Sequence, residues 1–82
     1  MRLPAYTMTG DELAAIRHKL GYTAEAFALA LGYSGQPIGM RTIIWKFEHD
    51  HRSIPPTIAR LSKMFDRYGI PSEWDVDLYR KS

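Results

Sequence analysis

Residues Thr9 to Glu48 read TGDELAAIRHKLGYTAEAFALALGYSGQPIGMRTIIWKFE, and this stretch decides the fold. Thr9 followed three residues later by Glu12 is a capping box, in which each side chain satisfies a backbone N–H of the other residue. Asp11 and Glu12 suit the positive end of a helix dipole, and Arg17 and Lys19 fall near its negative end. Leu13, Ile16 and Leu20 recur at helical spacing, and Gly21 is a C-terminal stop. Thr23 caps a second helix, Ala24 to Leu31, with Phe27, Ala28 and Leu31 toward the core; Ala24, Glu25 and Leu29 lie further out and Gly32 closes it. The alanines let neighbouring helices approach closely.

Between Gly32 and Met40 lie two glycines and a proline, the composition of a loop, although Pro37 equally suits the first turn of the next helix. From Met40 on, steps of about 100° per residue sort the chain into two faces. Met40, Ile43, Ile44 and Phe47 cluster on one. Arg41, Thr42, Trp45, Lys46 and His49 spread over the other. Two short helices, a turn, and a third helix with a basic and polar face form a shape that fits a DNA major groove.

Working outward, Met1 to Met8 have no clean period, and Pro4 rules out a helix interior, so an extended arm is expected. Pro55-Pro56 lead into a fourth helix whose stripe is Ile58, Leu61, Phe65 and Tyr68. Gly69 ends it and Pro71 prevents its resumption. In the tail, Trp74, Val76 and Leu78 alternate with Asp75 and Asp77 like a half-buried strand, while Trp74 and Leu78 also stand four apart as on a helix.

With 82 residues the chain makes one domain at most, with a thin core, so oligomerisation is expected. Apolar content of 45% argues against disorder. With no cysteine there is no disulfide framework, thiolate site or cysteine nucleophile, and no apolar run has the length of a membrane span. The start lacks the apolar core of a signal peptide. These features lead us to expect a soluble, cytoplasmic protein. Net charge is only +2, but its distribution is uneven. Between Arg41 and Arg67 lie six basic residues (Arg41, Lys46, Arg52, Arg60, Lys63, Arg67) against three acidic ones (Glu48, Asp50, Asp66), and Glu73, Asp75 and Asp77 gather after them. A basic middle and an acidic tail suggest that the middle faces phosphates.

Other chemistries find little purchase. Glu48-His49-Asp50-His51 invites a metal, but histidines two apart on a helix end do not share a face, and no cysteine or distant histidine pair completes a tetrahedral set. His18 has no nucleophile partner, and there is no triad, phosphate loop or carboxylate pair. We therefore expect neither enzyme activity nor a cofactor, metal or small-molecule ligand.

Taken in order, Thr-Gly-Asp-Glu-Leu…Ile-Arg…Leu-Gly, then Thr23…Phe27-Ala28…Leu31-Gly32, then Thr-Ile-Ile-Trp-Lys-Phe-Glu, then Arg52-Ser53-Ile54-Pro55, resemble the lambda-repressor/Cro-like (XRE-type) helix-turn-helix family over about Thr9 to Tyr68. Two departures stand out. The family's usual glutamine after the second helix cap is Ala24 here, which removes one expected phosphate contact. The turn before the recognition helix is also longer, as in a subgroup of small phage and mobile-element regulators such as anti-CRISPR-associated repressors. The resemblance implies an all-α domain of four to five helices. It divides into an N-terminal arm (1–8), a DNA-binding domain (9–68) and a C-terminal extension (69–82). It also implies a repressor that binds an inverted-repeat operator in double-stranded DNA as a homodimer. The expected DNA-binding residues are Gln36, Arg41, Thr42, Trp45, Lys46, His49 and Arg52; the expected dimer surface is Trp74, Val76, Leu78 and Tyr79. For Arg41 a guanine contact and a phosphate contact stand side by side, and Lys46 suits a phosphate. For Gln36 a base or phosphate contact competes with a plain loop role. Trp45 faces DNA sugars or thymine methyls, the long loop, a dimer surface, or the core if the helix is rotated. Trp74 and Leu78 fit either a partner subunit or their own. An antitoxin that binds a toxin as well as its operator, and a protein-interaction module with no DNA role, remain the alternatives.

Overall fold

The computed structural model describes residues 7–74, and these are all-helical, with four α-helices and one short 3-10 turn and no strand among them. The order is α1 (Gly10–Leu20), α2 (Ala24–Ala30), α3 (Pro37–Glu48), α4 (Pro56–Tyr68) and the 3-10 turn Ser72–Trp74. The extended arm expected over Met1–Met8 lies outside the described residues apart from Thr7 and Met8. Met8 is buried and belongs to the core.

Local chemistry sets the helix ends. The Thr9 side chain accepts from the Glu12 N–H, and the Glu12 carboxylate accepts from the Thr9 N–H at 3.0 Å, so the capping box is closed in both directions. These hydrogen bonds to the Thr9 backbone and hydroxyl hold the Glu12 carboxyl below its ordinary range. Gly21 ends α1 in the left-handed region at φ 75°, where a side chain is strained. Thr23 caps α2 through the Ala26 N–H.

The core holds Leu13 and Ile16 from α1, Ala26, Phe27, Ala28 and Ala30 from α2, Met40, Ile44 and Phe47 from α3, and Ala59 and Phe65 from α4. Phe27 and Phe65 meet edge to face at 6.4 Å. α3 packs on α2 and α1, and α4 packs on α1. Ser62 is fully buried in this core, and among the described residues its hydroxyl finds no hydrogen-bond partner. Such a group costs about 1–3 kcal/mol in lost hydration.

Two elements of the fourth-helix reading change. Tyr68 is 75% exposed, so it is not part of the buried stripe. Ten residues at 100° each leave it about 80° off the direction of Ile58. Ala59 and Ser62 fill the buried face instead, and Leu61 sits at its edge, half-buried. The longer turn expected before the third helix also shrinks. Pro37 is the first residue of α3, where its fixed φ suits a helix and its missing N–H is not needed. The connection is therefore only Leu31–Gln36.

The first turn of α1 is locked to the last turn of α3. Gly10 sits so close that an added Cβ would lie 2.4 Å from the Glu48 carbonyl oxygen and 2.6 Å from that of Phe47. Its N–H donates to Asp50 Oδ1 at 3.0 Å, and Asp50 adopts φ 57°, a conformation asparagine and aspartate tolerate better than most residues. About two turns further along α1, Arg17 grips Glu48 with two nitrogens at 2.6 and 3.0 Å, and a third donates to the Tyr22 carbonyl at 3.0 Å. Both side chains are largely covered, at 16% and 9% exposure, so the pair is far better shielded from water than a surface ion pair.

Gly10→Ala should lower the melting temperature, because forcing a methyl against backbone costs about 1–3 kcal/mol and outweighs the better helix propensity of alanine. Gly39→Ala meets open space inside α3 and should raise stability by about 0.5–1 kcal/mol. Thermal melting of the two variants checks both signs. A lowered carboxyl pKa in the folded state adds stability that is present above the unfolded value and lost as pH falls through the folded one. Glu12→Gln should therefore flatten the fall in melting temperature below about pH 4, the unfolded glutamate range, while leaving higher pH values parallel to the parent.

Candidate nucleic-acid interface

One face of α3 is spent on the core through Met40, Ile44 and Phe47, with Ile43 half-buried. The opposite face is open. Stepping around the helix from Trp45, the residues nearest its direction are Ile38, His49, Arg41 and Thr42, with Lys46 about 100° away. Arg41, Thr42, Trp45, Lys46 and His49 are all exposed. Trp45 is 47% exposed and belongs to this outer face, not to the core.

The exposed side chains are held rather than loose. The Trp45 ring stacks on His49, with centroids 4.2 Å apart and planes 21° apart, and His51 leans on it at 4.8 Å. His49 Nδ1–H donates to the Trp45 carbonyl at 2.9 Å. Since a carbonyl only accepts, this contact puts a hydrogen on Nδ1. The Thr42 hydroxyl donates to the Ile38 carbonyl at 2.7 Å. One nitrogen of Arg41 reaches the Glu25 carboxylate of α2 at 3.3 Å, which ties the two helices together across their solvent side.

Arg52 lies beyond α3 but returns to it. Together with Thr42, Lys46, Ile38, Gly39 and Ile43 it lines a shallow hollow of about 260 Å³. Two cations, Lys46 and Arg52, line this hollow and make it attractive to an anion. Burial raises the pKa of Tyr33, which packs on Phe47 at 6.3 Å, and the Arg52 charge partly opposes that rise. Gln36 is the residue before α3 and is exposed, and its side chain makes no capping hydrogen bond.

Six of the seven residues expected to touch DNA thus sit on or against α3, and Gln36 stands at its start. Two participants were not foreseen. Ile38 falls in the stretch that reads as a loop or as the first turn of the next helix, and it stands 65% exposed on the Trp45 side of α3. The signal was present in Pro37, which starts the helix early enough to include it. Glu25 was placed on the outer side of α2 without a role, and its link to Arg41 depends on how the two helices pack.

The Glu48-His49-Asp50-His51 run has other employment. Glu48 binds Arg17, His49 serves Trp45, and Asp50 holds the N-terminus of α1. Among the described residues no cluster of three or more His, Asp or Glu is placed for a metal ion, and no helix is long and apolar enough to cross a membrane. The expected dimer surface divides. Trp74 turns back onto its own chain, meeting Phe65 edge to face at 5.9 Å, and remains 45% exposed. Val76, Leu78 and Tyr79 lie outside the described residues.

No protein-family model, curated protein or solved structure matches this chain.

The assignment of faces on α3 gives a direct test. Trp45→Ala should change stability by no more than about 0.5 kcal/mol, since it removes surface contacts only. Ile44→Ala, one residue away, should cost about 2–5 kcal/mol. Urea unfolding of both variants measures the contrast, and equal losses would mean that Trp45 supports the core.

Proposed function

We propose that the protein is a sequence-specific double-stranded DNA-binding regulator of the lambda-repressor-like helix-turn-helix kind, with α3 as the recognition helix and repression as its role. The observation that carries this reading is the outer face of α3. Arg41, Thr42, Trp45 and Lys46 stand exposed on one side of a helix whose other side is anchored in the core, with α2 packed beside it. A rigid helix with an unburied polar and aromatic face is what a major groove accommodates.

In this reading Arg41 addresses a base edge. Among the described residues Glu25 takes one of its nitrogens, which leaves the rest of the guanidinium fork to address guanine O6 and N7. Lys46 and Arg52, on the flank of α3, bind phosphates and fix the register. One such helix reads few base pairs. Two copies related by a two-fold axis read inverted half-sites about one helical turn apart, and the occupied operator excludes polymerase from an overlapping promoter. Residues 9–68 form the DNA-binding domain, and the segment from 69 onward lies beyond it. The order of the motifs favours a regulator from a phage or mobile element.

The two cations should fail differently. Arg41→Ala should cost about 1–3 kcal/mol and relax preference at one base position, while Lys46→Ala should weaken all sequences alike and reduce the salt slope by about one. Selection of bound sequences from a random DNA pool, followed by titration at several salt concentrations, checks both. Variants that bind the selected operator as tightly as the parent would remove α3 from the role of recognition helix.

A further inference from the structure

We propose that Trp45 is a second specificity-determining residue of the outer face of α3 beside Arg41, that it recognises thymine through the C5-methyl group, and that His49 is its positioning residue. This inference rests on the DNA-binding reading above and names the chemical group that the face selects.

The centre of the face is apolar. Ile38 and Trp45 lie within about 20° of each other around α3, at 65% and 47% exposure. The cations are off-centre, with Arg41 drawn toward α2 by Glu25 and Lys46 turned toward the Arg52 hollow. The Thr42 hydroxyl hydrogen is already given to the Ile38 carbonyl. What the face presents between its cations is therefore carbon surface, with the indole N–H as a donor.

Among the base edges of the major groove, the thymine methyl is the one apolar group. The others are hydrogen-bonding atoms. Covering them with indole carbon takes them from water without replacing their partners, which is costly. Covering a methyl is favourable. An apolar centre therefore prefers thymine over cytosine at the position it meets, and it treats uracil, which lacks only the methyl, as a poorer ligand.

Preorganisation makes Trp45 suited to this. Its ring is stacked on His49 at 4.2 Å and flanked by His51 at 4.8 Å, and the His49 imidazole is itself pinned by its bond to the Trp45 carbonyl. The indole thus loses little freedom when it meets DNA, so contact energy is not spent on ordering it. His49 acts through the ring it supports.

The test uses the full chain and an operator selected from random DNA. Each thymine is replaced in turn by deoxyuridine, and binding is measured at fixed salt. At one thymine per half-site the parent should lose about four-fold in affinity, the equivalent of about 0.8 kcal/mol for one buried methyl. Trp45→Ala should bind thymine and deoxyuridine operators alike. His49→Ala should narrow the parent's ratio, and His49→Phe, which keeps a stacking ring, should restore it; a merely structural His49 would leave the ratio unchanged. If the parent selects an operator but no uracil substitution weakens it, the methyl inference is overturned while the DNA reading stands, even if Trp45→Ala binds less well by losing a sugar contact. If no sequence is enriched at all, the DNA reading falls and this inference with it.

Discussion

The arrangement depends on how closely α1 can approach the end of α3. Gly10 lacks the carbon that would strike the Glu48 carbonyl, and that absence lets the N-terminus of one helix meet the C-terminus of another. Opposite ends of two helix dipoles are thereby brought together, and the Asp50 carboxylate supplies the acceptor that the Gly10 N–H needs. The Arg17–Glu48 pair adds a second fastening about two turns along α1. With its last turn held this way and its middle seated on α2, α3 has little freedom to tilt. Its outer face is presented at a defined angle because its inner face and its end are both committed.

Much of this was legible in the residues. The Thr9–Glu12 capping box, the Gly21 stop, the Thr23 cap and the Met40–Ile44–Phe47 stripe are local patterns, and local chemistry decides them. The same stripe divided α3 into faces, so the exposed residues followed by subtraction. Part of what escaped the sequence involves residues far apart in it. The run holding Glu48 and Asp50 offers no partner for their carboxylates in the sequence, because those partners lie on α1. Glu25 finds Arg41 only because α2 and α3 pack together. Tyr68 was misjudged because a stripe extrapolated over ten residues drifts off its face. For Ile38 two glycines point to a loop and one proline to a helix start, and the proline prevails.

Charge is sparse on the outer face of α3 and partly neutralised within the molecule. Glu25 answers Arg41, Asp66 answers Lys19, and Glu48 answers Arg17. The Lys19 contact holds the Asp66 carboxyl below its ordinary range. In the DNA-binding reading proposed above, long-range attraction to a polyanion is modest for a net charge of +2, and discrimination falls to shape and short-range contact. The apolar centre formed by Ile38 and Trp45 fits that division of labour.

The fastenings of α1 also bear on the order of assembly. Gly10 and Asp50 are 40 residues apart, Arg17 and Glu48 are 31 apart, and Lys19 and Asp66 are 47 apart. The α2–α3 hairpin closes over a six-residue connection. Loop closure favours the short connection first, so the hairpin forms early and α1 is clamped onto it later. The same asymmetry applies to partial unfolding. Release of α1 breaks the long-range clasps but leaves the hairpin's own contacts intact, so the two helices that present the outer face form the more persistent cooperative unit.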